Sequence, residues 1–405
     1  MKYIVMLGDG MADWAVPELG GKTPLEVAKK PMMDFLAQHG ETGMVKTVPL
    51  GMPPGSDTAN LSVMGYAPEV YYSGRSPLEA VSMGIKLDAT DVTFRCNLVN
   101  LDIDGEYENG TMVDYSSDEI STAESTILIN YLNEHFKTDS LNLYPGISYR
   151  HCLVLKNAKI GSECTPPHDI SLKPIKEHLP KGLYGEKLLS MMKQSYDLLK
   201  DHPVNKAREA KGLKPANSCW FWGEGTKPAL SSFSEKFGVK GAVISAVDLI
   251  KGIGICAGLE SIDVDGVTGN INTNFVGKGK AAIKALADGN DFVYIHVEAP
   301  DESGHRHEVD NKVKSIEEID EKILTPIVNA MRASGEEFAI LLTPDHPTPL
   351  EIRTHCSDPV PFVIYRSANE NPSHTATEYT EAAAKATGLY LEKGDMLMKR
   401  LILGE

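Results

Sequence analysis

Short, unbroken apolar runs at 3–7, 242–246, 292–297 and 338–342 constrain this chain more than any of its other features. Each is rich in Ile, Val, Leu or Phe, and none alternates cleanly with polar residues. A strand with one wet face would alternate; a continuous run suits a parallel sheet covered on both faces. A further run at 361–365 reads as another strand. Helical patterns fall between these runs, at 23–38, 185–200, 277–287 and 313–334. Strand–helix alternation predicts an α/β layered fold with a mostly parallel sheet.

The middle of the chain reads differently. A strand pattern at 92–101 is followed by the turn signals Asp104-Gly105 and Asn109-Gly110. A helix is expected at 121–136 and strands at 141–144 and 151–155. This is an α+β piece between stretches of α/β pattern. It predicts a cap domain at 88–185, inserted in a discontinuous core formed by 1–87 and 186–405.

Composition removes several alternatives. Hydrophobic residues at 42% exclude wholesale disorder. Acidic residues outnumber basic ones 56 to 40, for a net charge of −16. Such a chain repels phosphate backbones, which argues against a nucleic-acid partner. An anionic substrate would need a local positive centre, supplied by clustered cations or bound metal. The six cysteines are scattered with no C-x-x-C pair, which argues against a Cys-rich zinc site. The first ten residues lack a signal-peptide core, and no apolar run approaches the roughly 18 residues of a membrane span. The expectation is a cytoplasmic protein with free thiols and no membrane partner.

Residues able to do chemistry sit just past the expected strands. Asp9 follows 3–7, Asp301 and His305 follow 292–297, Asp345 and His346 follow 338–342, and His355 comes nine residues later. Ligands of open parallel sheets bind outside the carboxyl ends of the strands. A single Asp there serves equally well as a turn or cap residue. Three carboxylates and three imidazoles together suffice for two divalent ions, and that donor mixture suits Mn²⁺ or Zn²⁺ better than Ca²⁺. Ser56 follows the rigid Pro53-Pro54-Gly55 turn and opens a helical run. It could be an ordinary N-cap, or a nucleophile activated by metal near the positive end of a helix. Two divalent ions would balance Asp9, Asp301, Asp345 and a Ser56 alkoxide.

Ordered motifs then carry a family resemblance. They are Gly-Asp-Gly-Met (8–11), Gly-Gly-Lys-Thr-Pro-Leu-Glu (20–26), Pro-Gly-Ser-Asp-Thr-Ala-Asn (54–60) and Gly-Arg-Ser-Pro-Leu-Glu-Ala (74–80). Phe-Arg-Cys-Asn (94–97), Asp-x-x-x-His (301–305), Asp-His (345–346) and His355 follow. Across nearly the whole chain this pattern resembles the archaeal-type 2,3-bisphosphoglycerate-independent phosphoglycerate mutases of the alkaline-phosphatase superfamily. The resemblance implies an alkaline-phosphatase-like three-layer core with an inserted cap. It implies one metal on Asp301, His305 and His355, and another on Asp9, Ser56, Asp345 and His346. Ser56 would be phosphorylated transiently. Mn²⁺ is the expected metal, with Zn²⁺, Co²⁺ or Mg²⁺ able to substitute.

Substrate recognition is less constrained. A phosphoglycerate carries two anionic groups, which arginine forks suit. Arg75 and Arg150 are the first candidates, with Arg95 and Arg208 behind them; a surface salt bridge is the alternative for each. Family positions also look changed. Tyr115-Ser-Ser-Asp-Glu-Ile-Ser121 stands where the mutases usually carry Ala-Gly-Arg-Ile-Ser, putting Asp118 and Glu119 in place of Gly-Arg. Gly388-Leu-Tyr-Leu-Glu-Lys-Gly-Asp395 lacks the Arg and His of the usual C-terminal segment. An acidic pair would suit an ammonium group, so homoserine kinase, proposed for a bacterial branch of the family, is the alternative. Either way the partner is a small phosphorylated or hydroxylated metabolite. His296 and His307 read as supports for the metal ligands. Trp220-Phe221-Trp222 reads as core packing, or else as a pocket wall near the cap.

Overall fold

The computed structural model describes residues 1–370 and 372–405, and the chain forms two compact units. The first comprises Met1–Tyr72 and Ala229–Glu405, the second Ser73–Pro228.

The first unit is built on an eight-stranded sheet. Its order is Glu260–Ser261, Gly241–Ile244, Phe292–Val297, Lys2–Gly8, Phe338–Thr343, Val360–Arg366, Glu41–Val45, Tyr390–Leu391. The strands run parallel except Val360–Arg366, which opposes both its neighbours. The expected strands at 3–7, 242–246, 292–297 and 338–342 are central members. Their continuous hydrophobicity is explained by burial on both faces. Ile4, Met6, Val293, Ile295, Ile340 and Leu342 share one core with residues of the helices Pro31–His39, Phe275–Ala287 and Thr325–Ser334. The alternate residues Val5, Leu7, Tyr294 and Leu341 are just as buried on the opposite face. This is the α/β layered fold with a mostly parallel sheet that the strand–helix alternation predicts.

Two expected helices are modified by proline. The pattern at 23–38 divides into Pro24–Val27 and Pro31–His39, because Pro31 donates no N–H and disfavours helix in the residue before it. The pattern at 313–334 becomes the helix Val309–Ile319, a π turn Asp320–Leu324 and the helix Thr325–Ser334. Pro326 would leave the Lys322 carbonyl without its usual donor, and the wider turn falls there. Gly279 lies against that same carbonyl: a Cβ would stand 2.9 Å from Lys322 O. The strand Glu41–Val45 was not legible, since Thr42-Gly43 interrupts its apolar character.

The second unit is an antiparallel sheet covered by helices. Val92–Asp102 pairs with Arg150–Leu155, Thr111–Asp114 and Ser218–Thr226, and Arg150–Leu155 pairs with Leu141–Tyr144. The helices Thr122–Phe136 and Gly185–Leu199 supply Leu128, Leu132, Leu188 and Met192 to its core. The unit is therefore wider than the inserted segment expected at 88–185. Ser218–Thr226 carries Trp220-Phe221-Trp222 and is a direct neighbour of Val92–Asp102, so the sheet needs residues far past 185. Trp220 and Phe221 are buried, in keeping with core packing. No described helix is long and apolar enough to cross a membrane.

Candidate active site and metal centre

The carboxyl ends of the three adjacent strands Phe292–Val297, Lys2–Gly8 and Phe338–Thr343 bring the expected ligands together. Asp9 leaves the central strand, Asp301 and His305 lie on the short helix Ala299–His305, and Asp345 and His346 follow their strand within three residues. Gly10 holds the first turn at φ +62°; a Cβ there would stand 2.4 Å from Thr348 Oγ1 and 2.7 Å from Asp301 Cα. Its N–H donates to Asp345 Oδ1 at 3.1 Å.

Two groups of donors converge. Asp9, Asp345 and His346 form one, Asp301, His346 and His355 the other, each with ligand atoms within 4.8 Å of one another. His346 is common to both, so the two positions are adjacent. His305 belongs beside the second group: its Nε2 is 3.3 Å from Asp301 Oδ2 and 2.9 Å from His355 Nε2. Its Nδ1 meets the Arg353 carbonyl at 3.0 Å, which assigns the proton to Nδ1 and leaves Nε2 as the coordinating atom.

Ser56 is the first residue of the helix Ser56–Val63, and Gly55 is its cap. The hydroxyl is not spent on capping. It lies 3.1 Å from His346 Nε2, within the same cluster. That geometry disfavours the ordinary N-cap alternative.

Electrostatics points to cations. Burial raises the Asp9 carboxyl well above its usual range, and the charges of Asp345 and Asp301 push in the same direction. Asp9 Oδ2 accepts from His296 Nε2 at 2.8 Å, but its buried Oδ1 has no hydrogen-bond partner among the described residues. A buried carboxylate oxygen left unpaired beside two more carboxylates is costly. A divalent ion would remove that cost, and the mixed imidazole–carboxylate donors fit one. Burial works against ionisation at Asp301 too, yet hydrogen bonds from His305 and His355 hold it well below the usual carboxylate range. The same bond to Asp301 raises His305 to about 9.

Supporting residues surround these ligands. His296 orients Asp9, with its Nδ1 3.1 Å from Ser245 Oγ. His307 meets the Leu350 carbonyl at 2.7 Å, and Thr348 Oγ1 donates to Asp301. Residue type gives neither Thr348 nor Asn60 a role in the sequence, although Asn60 lies inside the 54–60 motif.

Arg75 and Arg150 belong to the second unit. There Arg75 Nε and Arg95 Nε each lie 2.9 Å from one carboxylate oxygen of Glu79. Burial would raise Glu79, but Arg95, Arg75 and Arg150 together hold it low. Three guanidiniums around one carboxylate leave a net positive surface suited to an anion. Arg95 also stacks on Trp222 at 4.1 Å, and Arg150 over Tyr149 at 4.8 Å. Arg208 is instead buried in structure, bonded to Glu124 and to the Ser117 and Lys214 carbonyls. Asp118 is engaged by both the backbone N–H and the ammonium of Lys214, each at 2.8 Å.

The sequence model of the 2,3-bisphosphoglycerate-independent phosphoglycerate mutase family matches residues 37–205. A probable 2,3-bisphosphoglycerate-independent phosphoglycerate mutase of Geobacter sulfurreducens is 50% identical over 404 residues, covering 99% of this chain and 100% of its own. The corresponding mutase of Methanosarcina barkeri is 49% identical over 403 residues, covering 99% of each. Among solved structures, a protein of Pyrococcus horikoshii superposes with a TM-score of 0.82 at 29% identity, over 100% of this chain and 98% of its own. The cofactor-independent phosphoglycerate mutase of Thermoplasma acidophilum shares the fold, with a TM-score of 0.68 at 24% identity over 100% and 99% of the two chains.

Proposed function

The chain belongs to the 2,3-bisphosphoglycerate-independent phosphoglycerate mutase family, and we propose that it interconverts 2- and 3-phosphoglycerate through a phosphoserine on Ser56. The observation that carries this reading is the Ser56 hydroxyl lying within hydrogen-bond reach of His346, the residue common to both donor groups.

In the forward half-reaction Ser56 Oγ forms a bond to phosphorus as the ester bond to the glycerate oxygen breaks. In the return half, the other glycerate hydroxyl attacks the phosphoserine and Ser56 is regenerated. The proton that Ser56 gives up is recovered over the cycle. Divalent cations, when bound, supply Lewis-acid stabilisation of the phosphoryl oxygens and lower the pKa of the attacking hydroxyl. Asp9, Asp345 and His346 would hold one ion, and Asp301, His305 and His355 the other. The donor chemistry suits Mn²⁺ or Zn²⁺, and the family resemblance favours Mn²⁺, with Zn²⁺, Co²⁺ and Mg²⁺ as substitutes. The helix Ser56–Val63 presents its positive end where phosphate arrives. Arg75 and Arg150 are the cations proposed for substrate recognition, since guanidinium forks suit the carboxylate and phosphate of a phosphoglycerate.

No specific observation favours the homoserine alternative. The Asp118 carboxylate that suggested an ammonium partner already has one in Lys214.

The test is direct. Protein supplied with Mn²⁺ and 3-phosphoglycerate should yield 2-phosphoglycerate, and mass spectrometry of quenched enzyme should find phosphate on Ser56. Ser56→Ala should abolish both signals while retaining metal. No product with 3-phosphoglycerate, alongside phosphohomoserine formed from ATP and homoserine, would overturn the assignment.

A further inference from the structure

We propose that Asn60, oriented by Tyr294, is a positioning residue that locks the nucleophile-bearing turn to the metal ligand Asp345. This rests on the reading of Ser56 and Asp345 given above and assigns roles to two residues that lie outside the ligand set.

Asn60 lies four residues after Ser56 in the helix Ser56–Val63, hence one turn on and on the same face. Its side chain is wholly buried, and both amide hydrogens and one lone pair of its carbonyl oxygen are engaged. Nδ2 donates to the Ser56 carbonyl at 2.9 Å and to Asp345 Oδ2 at 2.9 Å. Oδ1 accepts from the Tyr294 hydroxyl at 2.7 Å. The amide orientation follows from chemistry. A backbone carbonyl and an ionised carboxylate only accept, so the amino group must face both. The carbonyl end must then meet a donor, and the Tyr294 phenol is that donor. Burial raises the phenol well above its usual range, which keeps its proton in place.

Asp345 Oδ1 is held by the Gly10 and His346 N–H groups, at 3.1 and 2.9 Å. Asn60 donates to Oδ2, the oxygen that lies 3.3 Å from His346 Nε2. Asn60 therefore decides how the coordinating edge of Asp345 is turned. It also fixes that edge relative to Ser56, since one amide group holds both. Tyr294 lies on the strand Phe292–Val297, two residues before His296 and on the same face, so one strand braces both Asp345 and Asp9.

Outer partners of metal ligands typically carry about 10–100-fold in affinity. The relay touches only one of the two donor groups, so the effect should be confined to one site. The experiment is calorimetric titration of metal-free protein with Mn²⁺, with His355→Ala used to identify the phase belonging to the other group. Tyr294→Phe, which deletes one oxygen, should weaken the Asp9/Asp345 phase by roughly tenfold, and Asn60→Leu by up to about 100-fold. The second phase should stay unmoved in both. In turnover, Tyr294→Phe should lower kcat with KM for 3-phosphoglycerate unchanged. Unmoved phases in Tyr294→Phe, or equal weakening of both, would overturn the proposal; the latter would mean general loosening. Should no phosphoglycerate turn over while the selective shift persists, the mutase assignment falls and the relay stands.

Discussion

The buried ion pair Lys312–Asp13 offers a stability test of how the ligand-bearing loops are held together. Lys312 lies on the helix Val309–Ile319, and its ammonium donates to Asp13 Oδ2 at 2.6 Å, to the Thr348 carbonyl at 2.8 Å and to the Ala12 carbonyl at 3.4 Å. Asp13 also accepts from the Leu350 and Trp14 N–H groups. Both side chains are almost completely buried, and burial pulls the Lys312 ammonium down despite its partner. One cation thus joins the turn after Asp9 to the segment after His346. Lys312→Met keeps the volume and deletes the charge. It leaves the Asp13 carboxylate without its counter-charge and takes the ammonium donor from the Thr348 carbonyl, while the Ala12 carbonyl keeps the Thr348 N–H. Breaking a buried pair from one side costs about 3–5 kcal/mol, a large part of the roughly 5–15 kcal/mol that holds a typical protein together. Urea denaturation of metal-free protein, followed by far-ultraviolet circular dichroism, should show that loss in the first transition. The double variant Lys312→Met, Asp13→Leu should recover part of it, because an apolar pair replaces both charges while the Leu350 and Trp14 N–H groups and the Thr348 carbonyl still lack their partners. A loss under about 1 kcal/mol, the range of exposed pairs, would refute the reasoning. So would a double variant worse than the single.

Other consequences follow from the same geometry. Asp9→Asn removes a carboxylate that burial and the neighbouring charges of Asp345, Asp301 and Glu298 disfavour; it should raise the melting temperature of metal-free protein and reduce, without abolishing, the further rise on adding Mn²⁺, as scanning calorimetry would show. His305, raised to about 9 by Asp301, must lose a proton to coordinate; apparent Mn²⁺ affinity should fall about tenfold per pH unit below that value, with about one proton released in buffers of differing ionisation enthalpy. The sign for stability is opposite. His305's contribution to metal-free stability is complete below its ordinary pKa near 6.5 and is lost as pH rises through about 9. Arg75→Met and Arg150→Met should raise KM for phosphoglycerate and leave Mn²⁺ titrations unchanged; altered metal binding would place those arginines in a different role.

What could be read from the sequence divides along physical lines. The buried parallel strands were legible because double burial writes itself as uninterrupted hydrophobicity, as in Phe292–Val297. The cluster of candidate donors was legible because strand ends in such sheets converge, so Asp9 could be placed with Asp301 and Asp345 though nearly three hundred residues or more separate it from them. Glu41–Val45 was hidden because its pairing with Val360–Arg366 tolerates a glycine whose Cβ would stand 2.6 Å from the Leu389 carbonyl. The breadth of the second unit was hidden for a different reason. Ser218–Thr226 joins Val92–Asp102 across more than a hundred residues, and antiparallel pairing over that distance leaves no periodic trace in either segment. The supporting residues form a third class. Asn60 and Thr348 look like ordinary polar residues of a helix and a loop, and only their partners give them meaning. Ligands can therefore be guessed by residue type and strand position, whereas the groups that orient them are defined by which lone pair faces which N–H. If the Asn60 relay governs metal affinity as its geometry requires, ligand identity alone would not fix the affinity of this centre. Part of it would be set one hydrogen bond further out.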